Sequence, residues 1–124
     1  MKFTDICIIT KNVLDVAKFY ETIFNSKAEG DNIHSVINVA GLYITIYDKS
    51  EAENVMGFDF LNTGTGLMTI GFDVDDVDAE YDRIKALNIN SATKPQIWPW
   101  GAKSFRFKDV EGNIIFFRSL PKHS

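Results

Sequence analysis

Few residues in this chain are of types that do chemistry, and their spacing says as much about what is missing as about what is present. The 124 residues include one cysteine, Cys7, and two histidines, His34 and His123. A catalytic metal centre needs about three His or carboxylate ligands, and the histidines are far apart in the chain. The one dense group of carboxylates, Asp73, Asp75, Asp76 and Asp78, falls at the start of a predicted helix. Negative charge is favoured there by the helix dipole, so the structural reading of this group takes precedence over a metal site. The aromatic residues are more suggestive. Ile97-Trp98-Pro99-Trp100-Gly101 sets two indoles on a stiff turn, a surface suited to a planar or cationic ligand. The same indoles can instead serve as core or dimer contacts, Tyr43 and Tyr47 as ordinary strand residues, and Arg118 as either an anion contact or a solvated charge.

Composition narrows the classes. Thirteen Lys and Arg against 17 Asp and Glu give a net charge of −4, which argues against a nucleic-acid surface. With 45% hydrophobic and 24% charged residues, the chain has the make-up of a globular domain with a real core. No apolar run approaches the roughly 20 residues that span a bilayer. Charges at Lys2, Asp5, Lys11, Asp15 and Lys18 are unlike a secretory signal. A lone cysteine forms no internal disulfide. The expectation is a cytoplasmic domain without membrane or nucleic-acid partners.

The elements that must position these residues emerge from an internal repeat. Thr4 to Phe24, TDICIITKNVLDVAKFYETIF, aligns without a gap on Met68 to Asn88, MTIGFDVDDVDAEYDRIKALN, at an offset of 64 residues. Each copy opens with period-two alternation, a strand with one buried face. Each continues with an N-cap type, Asn12 or Asp76. Then come four apolar positions on one helical face, Val13, Ala17, Tyr20 and Ile23 matched by Val77, Tyr81, Ile84 and Leu87. Three further strands follow in each copy: about Lys27–Glu29, His34–Val39 and Leu42–Asp48, then about Ser91–Pro95, Lys103–Lys108 and Asn113–Ser119. Ser50 to Gly66 connects the copies through a short helical turn at Glu51–Val55 and the loop LNTGTG. The fold class is α+β: two tandem βαβββ modules, about 1–49 and 67–124 with a connector at about 50–66, forming a curved mixed sheet with a central cleft.

The segments ICIITKNVLDVAKFYETIF, TIGFDVDDVDAEYDRIKALNI and PWGAKSFRFKDVEGNII resemble the vicinal oxygen chelate superfamily, also called glyoxalase/bleomycin resistance/dioxygenase. The resemblance covers nearly the whole chain and is weakest over Ser50 to Thr65. It departs at Val110, where the family has proline, and Asp109 is expected to shape that turn. The resemblance implies a divalent-metal site in enzyme members, with one ligand from the first and one from the last strand of each module. Those slots fall on Asp5, on Thr45 or Ile44 depending on register, on Thr69 and on Phe116. Only Asp5 is a normal ligand, so no metal and no cofactor is expected. Cys7 then reads as a small buried apolar residue, because no histidine falls in the matching slots.

Alternation points Asp5, Cys7, Ile9, Tyr43, Thr45 and Tyr47 into the cleft from the first module, and Thr69, Gly71, Asp73, Ile114, Phe116 and Arg118 from the second. The ligand-binding set expected from this reading is Cys7, Tyr43, Thr45, Tyr47, Trp98, Trp100, Phe116 and Arg118, with no catalytic residue. The function this implies is metal-free binding of a small molecule, a planar or aromatic ligand such as an antibiotic, as in the drug-sequestering branch the chain resembles. The alternative is a metal-dependent lyase or dioxygenase of the glyoxalase type with a non-standard site recruiting Asp5, His34 and Glu53. A third reading is an interaction domain whose cleft is filled by Trp98, Trp100 and Phe116. Superfamily members of this length resemble one another in pairing two chains, so a homodimer is expected.

Overall fold

The computed structural model describes residues 3–61, 63 and 68–121. The chain divides into two compact units, Met1–Thr65 and Gly66–Ser124. Most of the LNTGTG loop, and His123, lie outside the described residues.

In the first unit, β1 (Asp5–Thr10) leads to α1 (Val13–Phe24), β2 (Glu29–Gly30), β3 (His34–Val39), β4 (Leu42–Asp48) and α2 (Lys49–Asn54). The sheet order is β1-β4-β3-β2, with β1 parallel to β4 and the other pairs antiparallel. Helix α1 covers one face. Its residues Val13, Val16, Ala17, Tyr20 and Ile23 are buried with Ile8, Ile37, Ile44 and Ile46 of the sheet. Burying each such side chain contributes roughly 1.5–3 kcal/mol, and this decides which face the helix takes. The opposite face carries Asp5, Cys7 and Ile9 beside Tyr43, Thr45 and Tyr47, their register partners.

The second unit repeats the plan with β5 (Thr69–Asp73), α3 (Val77–Ala86), β6 (Gln96–Ile97), β7 (Lys103–Lys108) and β8 (Ile114–Ser119), in the order β5-β8-β7-β6. Its core is aromatic. Phe117 meets Phe72, Phe105 and Phe107 edge-to-face at centroid distances of 6.0, 5.6 and 5.3 Å, and Tyr81 of α3 closes on Phe105. The helices begin 64 residues apart, at Val13 and Val77, as the repeat requires.

Several local expectations are corrected. Asn12 makes no side-chain cap; its backbone N–H instead donates to Thr10 Oγ1 at 2.9 Å. Asp76 does cap, accepting from the Ala79 N–H at 3.1 Å. Leu87 lies beyond the last turn of α3 and is exposed, so the helical face of the second copy ends at Ile84. The second strand of each module sits later than expected, at Glu29–Gly30 and Gln96–Ile97. Residues 91–95 run beside β7 outside its ladder: Pro95 has no N–H to give, the Ser91 hydroxyl accepts from the Lys108 N–H, and Thr93 meets Arg106 with its hydroxyl and with one backbone N–H, which donates to the Arg106 carbonyl at 2.8 Å. Cys7 is exposed rather than buried. It sits on the same side of β1 as Asp5 and Ile9, away from α1.

Asp109 shapes its turn as expected. Its carboxylate accepts from the backbone N–H groups of Glu111 and Asn113 and from the Asn113 side-chain amide, at 2.9, 2.8 and 2.8 Å. Gly112 adopts φ +87° there, a conformation that favours glycine.

Candidate functional site

The register between strands decides which side chains share a surface. On the first sheet, Thr45 pairs with Cys7 and lies on the open face, whereas Ile44 is buried under α1. The last-strand slot of the first module is therefore Thr45. Its hydroxyl donates to Asp5 Oδ2 at 2.7 Å, and Thr4 donates to Oδ1 at 2.8 Å. The Thr45 bond, then the Thr4 bond, hold the Asp5 carboxyl below the usual aspartate range, and the nearby His34 adds a weaker pull in the same direction. Tyr47 meets the His34 ring edge-on at 5.8 Å, and Tyr43 is half-exposed. Cys7, Tyr43, Thr45 and Tyr47 thus occupy one sheet face.

The second sheet carries a hollow on its open face. Phe116 pairs with Gly71 on one side and Arg106 on the other. Trp98 leans onto the same face, anchored by its indole N–H, which donates to Ser104 Oγ at 2.8 Å. Around them is a cavity of about 450 Å³, within the range of small-molecule sites. Trp98, Phe116 and Ile114 form its apolar walls, and Thr69, Thr93, Gln96 and Ser104 supply polar groups. Phe105 and two cationic side chains, Lys94 and Arg106, complete the lining.

Of the expected binding residues, Trp98 and Phe116 meet here. Trp100 does not line the cavity; it stacks on Trp98 at 5.6 Å with the rings 6° from parallel, and is 71% exposed. Arg118 lies on the same sheet face but donates to Asp73 Oδ1 at 2.7 Å. Lys94, Gln96, Ser104 and Arg106 were not among the expected residues. Strand alternation along β7 carried the signal for Ser104 and Arg106, since both share parity with the open face. Nothing in the local sequence marks Lys94 or Gln96.

Three members of the acidic group at the start of α3 make structural contacts. Asp73 pairs with Arg118, Asp76 caps the helix and Asp78 pairs with Lys103. Among the described residues, no three His, Cys, Asp or Glu side chains are placed to hold a metal ion. The four slots where enzymes of the resembled superfamily carry ligands hold one carboxylate, two hydroxyls and a phenyl ring. The Asp5 carboxylate is engaged by two threonines, and the Phe116 ring is packed over Gly71. This donor set does not fit a divalent-metal centre.

The glyoxalase-like domain family matches residues 3–119. No curated protein sequence matches the chain. Among solved structures, a glyoxalase/bleomycin resistance protein/dioxygenase from Nocardioides superposes with a TM-score of 0.84 at 18% identity, covering 100% of this chain and 86% of that one. The fosfomycin resistance protein FosX of Listeria monocytogenes, in complex with Mn(II) and sulfate, gives 0.71 at 22% identity, covering 97% and 90%. A bleomycin-binding protein complexed with bleomycin gives 0.68 at 15% identity, covering 98% and 100%. At these identities the likeness concerns the fold. With its duplicated strand–helix–three-strand units and the family match over nearly its full length, the chain belongs to the glyoxalase-like domain family.

Proposed function

We propose that this protein binds a small molecule without a metal and without chemistry, holding a planar or aromatic ligand, such as an antibiotic, against Trp98 and Phe116. The observation that carries the reading is that Thr69 and Phe116, which fall in two ligand slots, line a partly apolar cavity. A phenyl ring in a ligand position removes a donor and adds a stacking surface. The fold likeness to a protein that binds bleomycin supports the same direction.

Titration of tryptophan fluorescence with bleomycin and a panel of planar antibiotics tests the reading. Saturable quenching that is lost in Trp98→Phe is expected. No response at millimolar ligand from a folded sample would remove it.

The alternative, a metal-dependent lyase or dioxygenase, draws on Asp5, whose carboxylate is held ionised on an open sheet face, and on a fold shared with an Mn(II)-complexed protein. Metal analysis of protein purified without chelator decides between the two. Stoichiometric metal that Asp5→Ala abolishes would install the enzymatic reading. The proposal also includes a homodimer in the cytoplasm; sedimentation at micromolar concentration checks the former, and a monomer there would end that part of it.

A further inference from the structure

The cavity of the second sheet has a charge asymmetry at odds with the rest of the chain. The protein carries a net charge of −4, yet the residues lining this cavity include Lys94 and Arg106 and no carboxylate. Among the described residues, neither cation has an ion-pair partner; the four ion pairs use Lys49, Arg83, Lys103 and Arg118. Lys108 adds a further positive charge on the same face, paired in register with the lining residue Ile114. The one acidic side chain on this face of the strands, Asp73, is taken by Arg118.

Two unpaired cations at one hollow repel each other, and an anion placed between them relieves that repulsion. A guanidinium is also suited to a carboxylate or another oxyanion, which it can meet with two parallel N–H groups. Ser104 adds a directed donor. Its Oγ accepts from the Trp98 indole, which leaves the hydroxyl proton to be given to a ligand oxygen. The Trp98 N–H itself is committed to Ser104, so Trp98 offers a ligand its ring face and not its donor.

We propose that the ligand of this cavity is an aromatic anion, a flat ring system bearing a carboxylate or a similar oxyanion. The ring lies on Trp98 and Phe116, and the anionic group is received by Arg106, Lys94 and the Ser104 hydroxyl. The inference rests on the binding reading above and adds to it the sign of the ligand's charge.

Isothermal titration calorimetry with three probes of one shape tests it: 1-naphthoate, 1-naphthylmethanol and 1-naphthylmethylammonium. The full chain should bind naphthoate at least tenfold more tightly than the ammonium probe, with the alcohol between them. The gap should narrow as salt is raised. In the double variant Arg106→Gln, Lys94→Gln, naphthoate affinity should fall about tenfold while naphthylmethanol affinity stays within twofold. Both side chains are exposed, so the variant is expected to fold, which circular dichroism verifies. Equal affinity for the anion and the cation, or a charge preference that survives the double variant, overturns this inference and leaves ring binding standing. Heat from none of the three probes, with the protein folded, removes the binding reading and this inference together.

Discussion

The ring of Phe116 lies directly over Gly71: a methyl group built on Gly71 would meet Phe116 Cζ at 2.3 Å and Cε1 at 2.6 Å. The two are register partners on neighbouring strands, so the absence of a side chain at one position is what lets the other lie flat and wall the cavity. Gly71→Ala should displace the ring and cost about 1–3 kcal/mol, the usual penalty for overpacking. In a Phe116→Ala background the same change should cost almost nothing. Urea denaturation of the single and double variants measures the coupling. Additive costs would show that the ring is not what constrains Gly71.

Asp5 gives a pH-dependent signature. The Thr45 and Thr4 hydroxyls favour its ionised form and lower its pKa in the folded protein. A depressed carboxylate contributes stability that is in place above its unfolded value, about pH 4. That contribution is lost as pH falls through the lower folded-state value. Thr45→Val removes the larger of the two bonds, so Asp5 should titrate at higher pH in that variant. Carbon-detected NMR of the carboxyl group follows this residue by residue; an unchanged midpoint would mean that the bond is not made in solution.

Phe117 is the hub of the second unit's core, with three aromatic neighbours and 2% exposure. Phe117→Ala should cost about 3–5 kcal/mol through lost transfer energy and a residual cavity. Phe117→Leu keeps most of the volume and should cost less. Chemical denaturation ranks the two, and a loss under about 1 kcal/mol for the alanine variant would contradict the packing described.

The Asp109 turn makes a separate claim on stability. Asp109→Ala leaves two backbone N–H groups and the Asn113 amide without their acceptor. The expected cost is about 1–3 kcal/mol, against a smaller loss for Asp109→Asn, which retains one carbonyl acceptor. Thermal melts of both variants give the order, and equal melting temperatures for wild type and Asp109→Ala would refute it.

Cys7 is exposed on the open face of the first sheet. A thiol reagent such as 5,5′-dithiobis(2-nitrobenzoate) should therefore label one equivalent in the native protein, at a rate close to that of the denatured chain. Labelling followed across protein concentration also probes the dimer. Protection that appears only as the chain self-associates would put this face in the contact between copies, whereas protection independent of concentration would contradict the exposure.

Much of the scaffold was legible along the chain because it is local and periodic. The 64-residue repeat, the helical faces of Val13–Ile23 and Val77–Ile84, and the parity of β1, β4, β5 and β8 follow from residues a few positions apart. So does the Asp109 turn, whose bonds span four residues or fewer. The caps show where local chemistry stops being decisive. Asn12 and Asp76 occupy equivalent places, yet only Asp76 bonds with its side chain; its backbone is extended at ψ 100°, whereas Asn12 sits at ψ 62°.

The site was decided by tertiary structure. Alternation tells which face a strand residue takes but not which residue stands opposite: it pointed Thr45 into the cleft, Ile44 stayed an alternative for the ligand slot if the match slipped by one, and the pairing of β1 with β4 set Thr45 beside Cys7 and left Ile44 in the core. The same holds for the cavity. Arg106 lies beside Phe116 only because β7 folds back on β8, and residues 93 and 94 reach it only because Thr93 is bonded to Arg106. Burial also set the fate of Cys7, whose side chain the helix leaves uncovered. Periodicity is a property of neighbours in sequence; register, charge clustering and the shape of a hollow are set by which distant segments the core brings together.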